Sequence, residues 1–118
     1  MTARELRREI ARDRHLGEAF RLYIRNQRKH RGFDNQDKLK DSQGVQRIHA
    51  IYGVQPDSVR RWLDRIIAEE TEHPAKITIK TIEKLALLFQ TVDETEETFV
   101  DEFLQQHELQ LSANLLHA

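Results

Sequence analysis

The run VQRIHAIYGVQPDSVRRWLDRII, residues 45–67, decides the fold. Val45, Ile48, Ile51 and Tyr52 recur at helical spacing and predict a short first helix. Gly53 follows, where a left-handed backbone carries no steric cost. Pro56 has the fixed φ that suits the first turn of a second helix, and Asp57 suits the positive end of that helix's dipole. Val59, Trp62, Leu63, Ile66 and Ile67 fall at i, i+3, i+4, i+7 and i+8, one apolar face. Arg60, Arg61, Asp64 and Arg65 take the opposite side. The stretch is therefore two short helices joined by a glycine turn, the second showing arginines outward.

Downstream, EETEHPAK (69–76) reads as a loop. Thr78 has the character of a helix N-cap, with Ile77 and Ile82 at the spacing of a hydrophobic staple. Ile79, Ile82, Leu85, Ala86 and Phe89 form the buried face of the helix that follows. A final helix is expected from Asp93, with Phe99, Val100, Phe103, Leu104 and His107 as its stripe. The tail 110–118 is helical or frayed. Upstream, residues 30–44 form a polar connector with room for one turn of helix. Residues 3–29 are one long helix or two, with Gly17 as the place to break. Thr2 and Glu5 suit a capping box, and Leu6, Ile10, Leu16, Phe20, Tyr23 and Ile24 supply the apolar stripe. The expectation is an all-α chain of about five helices. It comprises a helix-turn-helix unit with a basic N-terminal helical extension, residues 1–91, and an acidic C-terminal helix, residues 92–118.

With 118 residues the chain fits one small domain. Its net charge of −1 conceals an asymmetry. Residues 1–66 hold 16 Lys/Arg against 9 Asp/Glu, a balance of +7, and residues 67–118 hold 3 against 11, a balance of −8. Such a split suggests that the first half meets a polyanion, and its cations are mostly arginine, whose planar fork suits phosphates and guanine edges. There is no cysteine, which removes disulfides, thiolate ligands and thiol nucleophiles. The first residues are mixed-charge and resemble no signal peptide, and no run approaches the roughly 18 apolar residues of a membrane span. A cytoplasmic protein with no membrane contact is expected.

Two segments resemble the Xre-type, lambda-repressor-like helix-turn-helix family. In residues 45–62, Ile48 and Tyr52 match its apolar positions in the first helix, Gly53-Val54 its turn, and Val59 and Trp62 its core positions in the recognition helix. In residues 77–89, Thr78, Ile79, Thr81, Ile82, Lys84, Leu85 and Ala86 match the next helix. The resemblance spans about residues 16–90 and has three departures. His49 stands where a small residue is usual, Val45 stands where Gln is favoured, and the stretch between turn and next helix is longer. A second register is also readable, with residues 31–39 as the opening helix and Gly44-Val45 as the turn. It would put Ala50 and Gly53 at core positions, where both are too small.

The resemblance implies a sequence-specific regulator of transcription that binds double-stranded DNA, a repressor of phage, plasmid or toxin–antitoxin type. Gln55, Asp57, Ser58, Arg60 and Arg61 would then read base edges, and Gln46, Arg47 and Arg65 would hold phosphates. Proteins that read DNA this way pair on two half-sites. A homodimer is accordingly expected through Phe99, Val100, Phe103, Leu104 and Leu111, with Leu6 and Ile10 as the N-terminal alternative. The competing reading is an interaction module whose acidic C-terminal helix binds a partner protein.

Nothing in the sequence suggests catalysis. Of the six histidines, no two fall at i, i+3 or i+4, so no metal site is expected. No phosphate-cradling glycine loop and no nucleophile elbow occurs. Acidic pairs such as Glu69-Glu70 and Glu96-Glu97 are sequence neighbours, which do not face each other on a helix. The chain is expected to be a non-enzyme without cofactor.

Overall fold

The computed structural model describes residues 1–68, 76–90 and 94–116. Among these residues every regular element is a helix, and there are seven rather than about five. The additional ones come from the first half of the chain.

Helix α1 (Ala3–Arg12) starts on Thr2, whose hydroxyl accepts from the Glu5 amide. It ends at Asp13 rather than at Gly17. Asp13 takes an extended backbone, and its carboxylate accepts from the amides of His15 and Leu16, which begins α2 (Arg14–His30). Gly17 is buried inside α2 beside Ile10. Helix α3 (Gln36–Lys40) lies within the expected connector, capped by Asn35 and anchored by the buried Leu39. Helix α4 (Gln43–Tyr52) starts on Ser42 and ends at Gly53 in the left-handed conformation, φ 69°. Helix α5 (Pro56–Ile67) has proline in its first turn. Helix α6 (Ile79–Phe89) has the expected cap. The Thr78 hydroxyl accepts from the Thr81 amide, Thr81 returns the bond, and Ile77 and Ile82 are both buried. Helix α7 is Glu96–Leu116. The expected cap at Asp93 and nearly all of the expected 69–76 loop lie outside the described residues.

Helix α6 is the hub, touching α1, α4 and α7, while α5 lies against α2, α3 and α4. All five phenylalanines belong to one aromatic network. Phe20 meets Phe99 and Phe103 edge-on, at centroid distances of 6.3 and 5.0 Å. Tyr23 leans on the same two rings, and Phe89 stacks between Phe33 and Phe99. Such pairs favour edge-to-face and offset contacts because ring faces are negative and ring edges positive.

This network corrects one expectation. Phe99, Val100 and Phe103 are not a free stripe awaiting a second copy; they are buried in the chain's own core. Leu104 packs partly against that core, Leu6 is buried, and Ile10 is half-buried. Of the expected dimer residues, only Leu111 is exposed, at 50%. Past His107, whose ring stacks on Phe103, the last turns of α7 expose Leu109, Leu111 and Leu115. No helix among the described residues is long and apolar enough to cross a membrane.

Candidate nucleic-acid interface

Three residues, Gly53 to Gln55, join α4 to α5. The Gly53 amide donates to the His49 carbonyl, and the His49 Nδ1 lies 3.0 Å from the Val54 carbonyl oxygen. His49 is itself exposed, so the position where a small residue was expected tolerates an imidazole by turning it onto the connection. Val45 and Ile48 seat α4, while Val59, Leu63 and Ile66 seat α5. Trp62 is only partly buried, less than its expected core role requires. The Lys84 ammonium lies over its ring at 5.8 Å and over the Tyr52 ring at 5.3 Å, tying α6 to both helices. The second register loses its two core positions, since Ala50 is exposed and Gly53 is the left-handed cap outside the helix.

On the outer side of α5, Gln55, Asp57, Arg60, Arg61 and Arg65 are exposed and Ser58 is half-buried. The helix has two carboxylates, and each is matched from elsewhere. Lys40 of α3 sits 2.9 Å from Asp57 and holds that carboxyl below its usual range. Arg28 of α2 sits 2.6 Å from Asp64. Arg28 is an unusual cation: its side chain is 7% exposed, set between Asp64 and Asp34. The Asp34 oxygen lies 3.2 Å from its Nε, yet Nε makes no well-formed hydrogen bond, so this second contact is electrostatic attraction rather than a directed bond. Arg60 donates to the Gln36 side-chain oxygen of α3 at 2.9 Å. Arg61 and Arg65 make no hydrogen bond or ion pair among the described residues, and with Ser58 and Asp64 they line a shallow depression.

The far end of α5 is braced by α2. Arg21 Nε donates to the Ile66 carbonyl at 3.1 Å, and an Arg25 terminal nitrogen donates to the Ile67 carbonyl at 2.9 Å. Burial lowers the Arg21 guanidinium from its ordinary value.

The expected phosphate contacts divide. Arg65 shares the outer side of α5. Gln46 is exposed beside α3 and donates to the Lys40 carbonyl at 3.3 Å. Arg47 is drawn the other way, donating to the carbonyls of Gln43 and of Gln90 at the end of α6. The sequence reading missed Gln36 and Lys40, which meet Arg60 and Asp57. A signal was present: Asn35 ahead of Asp37 is the pattern of an N-cap followed by an acidic first turn. A scan against protein-family models, a search of curated proteins and a search of solved structures each return no match.

Proposed function

We propose that the chain is a sequence-specific DNA-binding regulator of transcription in the cytoplasm, with α4 and α5 as its helix-turn-helix and α5 as the helix that enters the major groove. One observation carries the reading. Helix α5 turns Arg60, Arg61 and Arg65 outward while cations from α3 and α2 match both of its carboxylates. A helix in the major groove needs donors at base edges and no uncompensated negative charge near phosphates. The +7 balance of residues 1–66 and the resemblance of residues 45–62 and 77–89 to Xre-type proteins support it. Gln55, Asp57, Ser58, Arg60 and Arg61 are the proposed base readers, and Arg65 and Gln46 the proposed phosphate contacts. By analogy with that family, repression by operator occupancy is the proposed mode.

Selection from a random pool of double-stranded DNA tests this. Enrichment of one motif is expected; a pool that stays random after several rounds would refute sequence-specific binding. A competing reading assigns the function to α7, whose exposed Leu109, Leu111 and Leu115 favour a partner protein or a second copy. In that case α5 is scaffold, and substitution of its arginines leaves function intact.

A further inference from the structure

Helix α1 carries four arginines, Arg4, Arg7, Arg8 and Arg12, against two carboxylates, Glu5 and Glu9. All four arginines are exposed, and none makes a hydrogen bond or ion pair among the described residues. At about 100° per residue they fill an arc of roughly 140° whose only other side chain is Ala11. Ala3, Leu6 and Ile10 flank the arc on the side that packs on the core, and Glu5 and Glu9 flank it on the other.

This arrangement costs α1 stability. Arg4, Arg8 and Arg12 follow one another at i, i+4 and i+8, where like charges repel. Arg4 also stands in the first turn, at the positive end of the helix dipole. A helix face that serves only solvation mixes the two signs and pairs them across a turn. A face that keeps its repulsion is relieved by an anion from outside, and the arginine fork suits phosphate, which it grips with two parallel bonds. A lipid surface fits less well, because an interfacial helix lays its apolar face in the membrane, and here Leu6 and Ile10 are committed to the core.

The place of α1 in the fold gives the phosphate a source. The last turns of α1 and α5 meet at the same stretch of α2. A Cβ on Gly17 would lie 3.4 Å from Ile10 Cγ2 and 3.7 Å from an Arg21 terminal nitrogen, and Arg21 Nε donates to the Ile66 carbonyl. Those last turns carry Arg12 and Arg65. From Arg4 to Arg12 the helix rises about 12 Å. Duplex DNA presents a charge every ~1.7 Å of its axis, so such a row meets several phosphates at once.

With α5 read as the groove helix, on which this rests, we infer that the arginines of α1 grip the phosphate backbone of the duplex beyond the base pairs that α5 reads. They add affinity that does not depend on sequence.

The test compares a selected operator with the same operator extended at each end by one helical turn of arbitrary sequence, about ten base pairs. Fluorescence anisotropy at several salt concentrations gives the affinities. The unsubstituted chain is expected to bind the longer duplex more tightly, whatever the flanking sequence. Arg4→Ala, Arg8→Ala and Arg12→Ala combined should abolish that gain and reduce the log–log salt slope by about 2.7, three contacts at about 0.9 each, with base preference unchanged. This variant should fold, because alanine favours helix and the three side chains are exposed, and a thermal melt checks it. Arg4→Lys, Arg8→Lys and Arg12→Lys combined keep the charges and should keep the slope. An unaltered slope and an unaltered gain in the folded triple-alanine variant would overturn the inference, and α5 would still stand if Arg61→Ala relaxes base preference. Failure of the unsubstituted chain to bind any duplex would overturn both. Loss of binding to phosphatidylglycerol vesicles in the triple-alanine variant, with DNA affinity intact, would assign the arc to a lipid surface and overturn the inference equally.

Discussion

A Cβ placed on Gly44 would lie 2.5 Å from the carbonyl oxygen of Leu88 and 2.7 Å from the Leu88 Cα. Helix α4 therefore meets α6 backbone against backbone, and no side chain fits between them.

Gly44→Ala should accordingly destabilise the chain by roughly 3 kcal/mol, because rigid backbone rather than a flexible side chain must give way. Gly53→Ala is a different case. Its φ of 69° is unfavourable for alanine, yet nothing lies within 4 Å of an added Cβ. The cost there is conformational alone, roughly 1–2 kcal/mol. Urea midpoints of the two variants check the order, and a Gly53→Ala more damaging than Gly44→Ala would contradict this account of the α4–α6 contact.

Arg61→Ala and Arg65→Ala should leave the fold unchanged, since both side chains are exposed and neither makes a hydrogen bond or ion pair among the described residues. On a selected operator Arg61→Ala should cost roughly 1–3 kcal/mol and relax preference at one base pair. Arg65→Ala should weaken all sequences alike and reduce the log–log salt slope by about 0.9, one phosphate contact. Binding titrations at several salt concentrations separate the two, and unchanged affinity in both variants would remove α5 from the interface.

Asp64→Ala should destabilise by roughly 2 kcal/mol, the worth of a hydrogen bond to a charged group. It leaves Arg28, 7% exposed, without its directed partner. Asp34→Ala should cost less, because its contact with Nε is poorly aligned. Thermal melts of the two variants rank them.

Burial pushes the Tyr23 phenol from 10 up to about 12, with the Glu102 charge adding to it. Between those values the folded chain keeps a proton that the unfolded chain has lost. Stability is therefore full below pH 10 and falls as the pH rises towards 12. Tyr23→Phe should flatten that decline in melting temperature without removing it, because the Tyr52 phenol is raised to about 12 as well. A decline as steep as that of the unsubstituted chain would show that Tyr23 ionises freely.

Removing residues 109–118 should leave the urea midpoint unchanged, since Leu109, Leu111 and Leu115 are exposed. If these leucines pair two copies, light scattering should give twice the 14.0 kDa chain mass before truncation and one chain mass after it. A dimer that survives truncation would place the contact elsewhere.

The legible parts of this fold are those where chemistry acts over a few residues. Thr78, Ile77 and Ile82 announced the start of α6, and Pro56 that of α5, because caps and staples are local. The α7 stripe was equally visible, but apolar spacing says only that a face is covered. Whether Phe99 and Phe103 meet Phe20 of the same chain or a second copy depends on a pairing about 80 residues apart, which no window on the sequence contains. Arg47 shows the same limit at the site. An arginine on a helix facing a basic surface reads as a phosphate contact, and only the arrival of the α6 terminus reveals a carbonyl waiting for it. The break between α1 and α2 went to Asp13 because a carboxylate accepting two amides outweighed the flexibility of Gly17.

The bonds from Arg21 and Arg25 to the last carbonyls of α5 have a dynamic consequence. A helix end ordinarily frays because its final carbonyls lack partners. Here those of Ile66 and Ile67 are held by α2, the helix that carries Phe20 and Tyr23 into the aromatic network. The end of α5 and the middle of α2 thus open as one cooperative unit, and opening them disturbs the centre of the molecule. The outward arginines of α5 ride on a helix whose end is bonded to α2, so the entropy of ordering that end is lost at folding and does not recur when a ligand arrives.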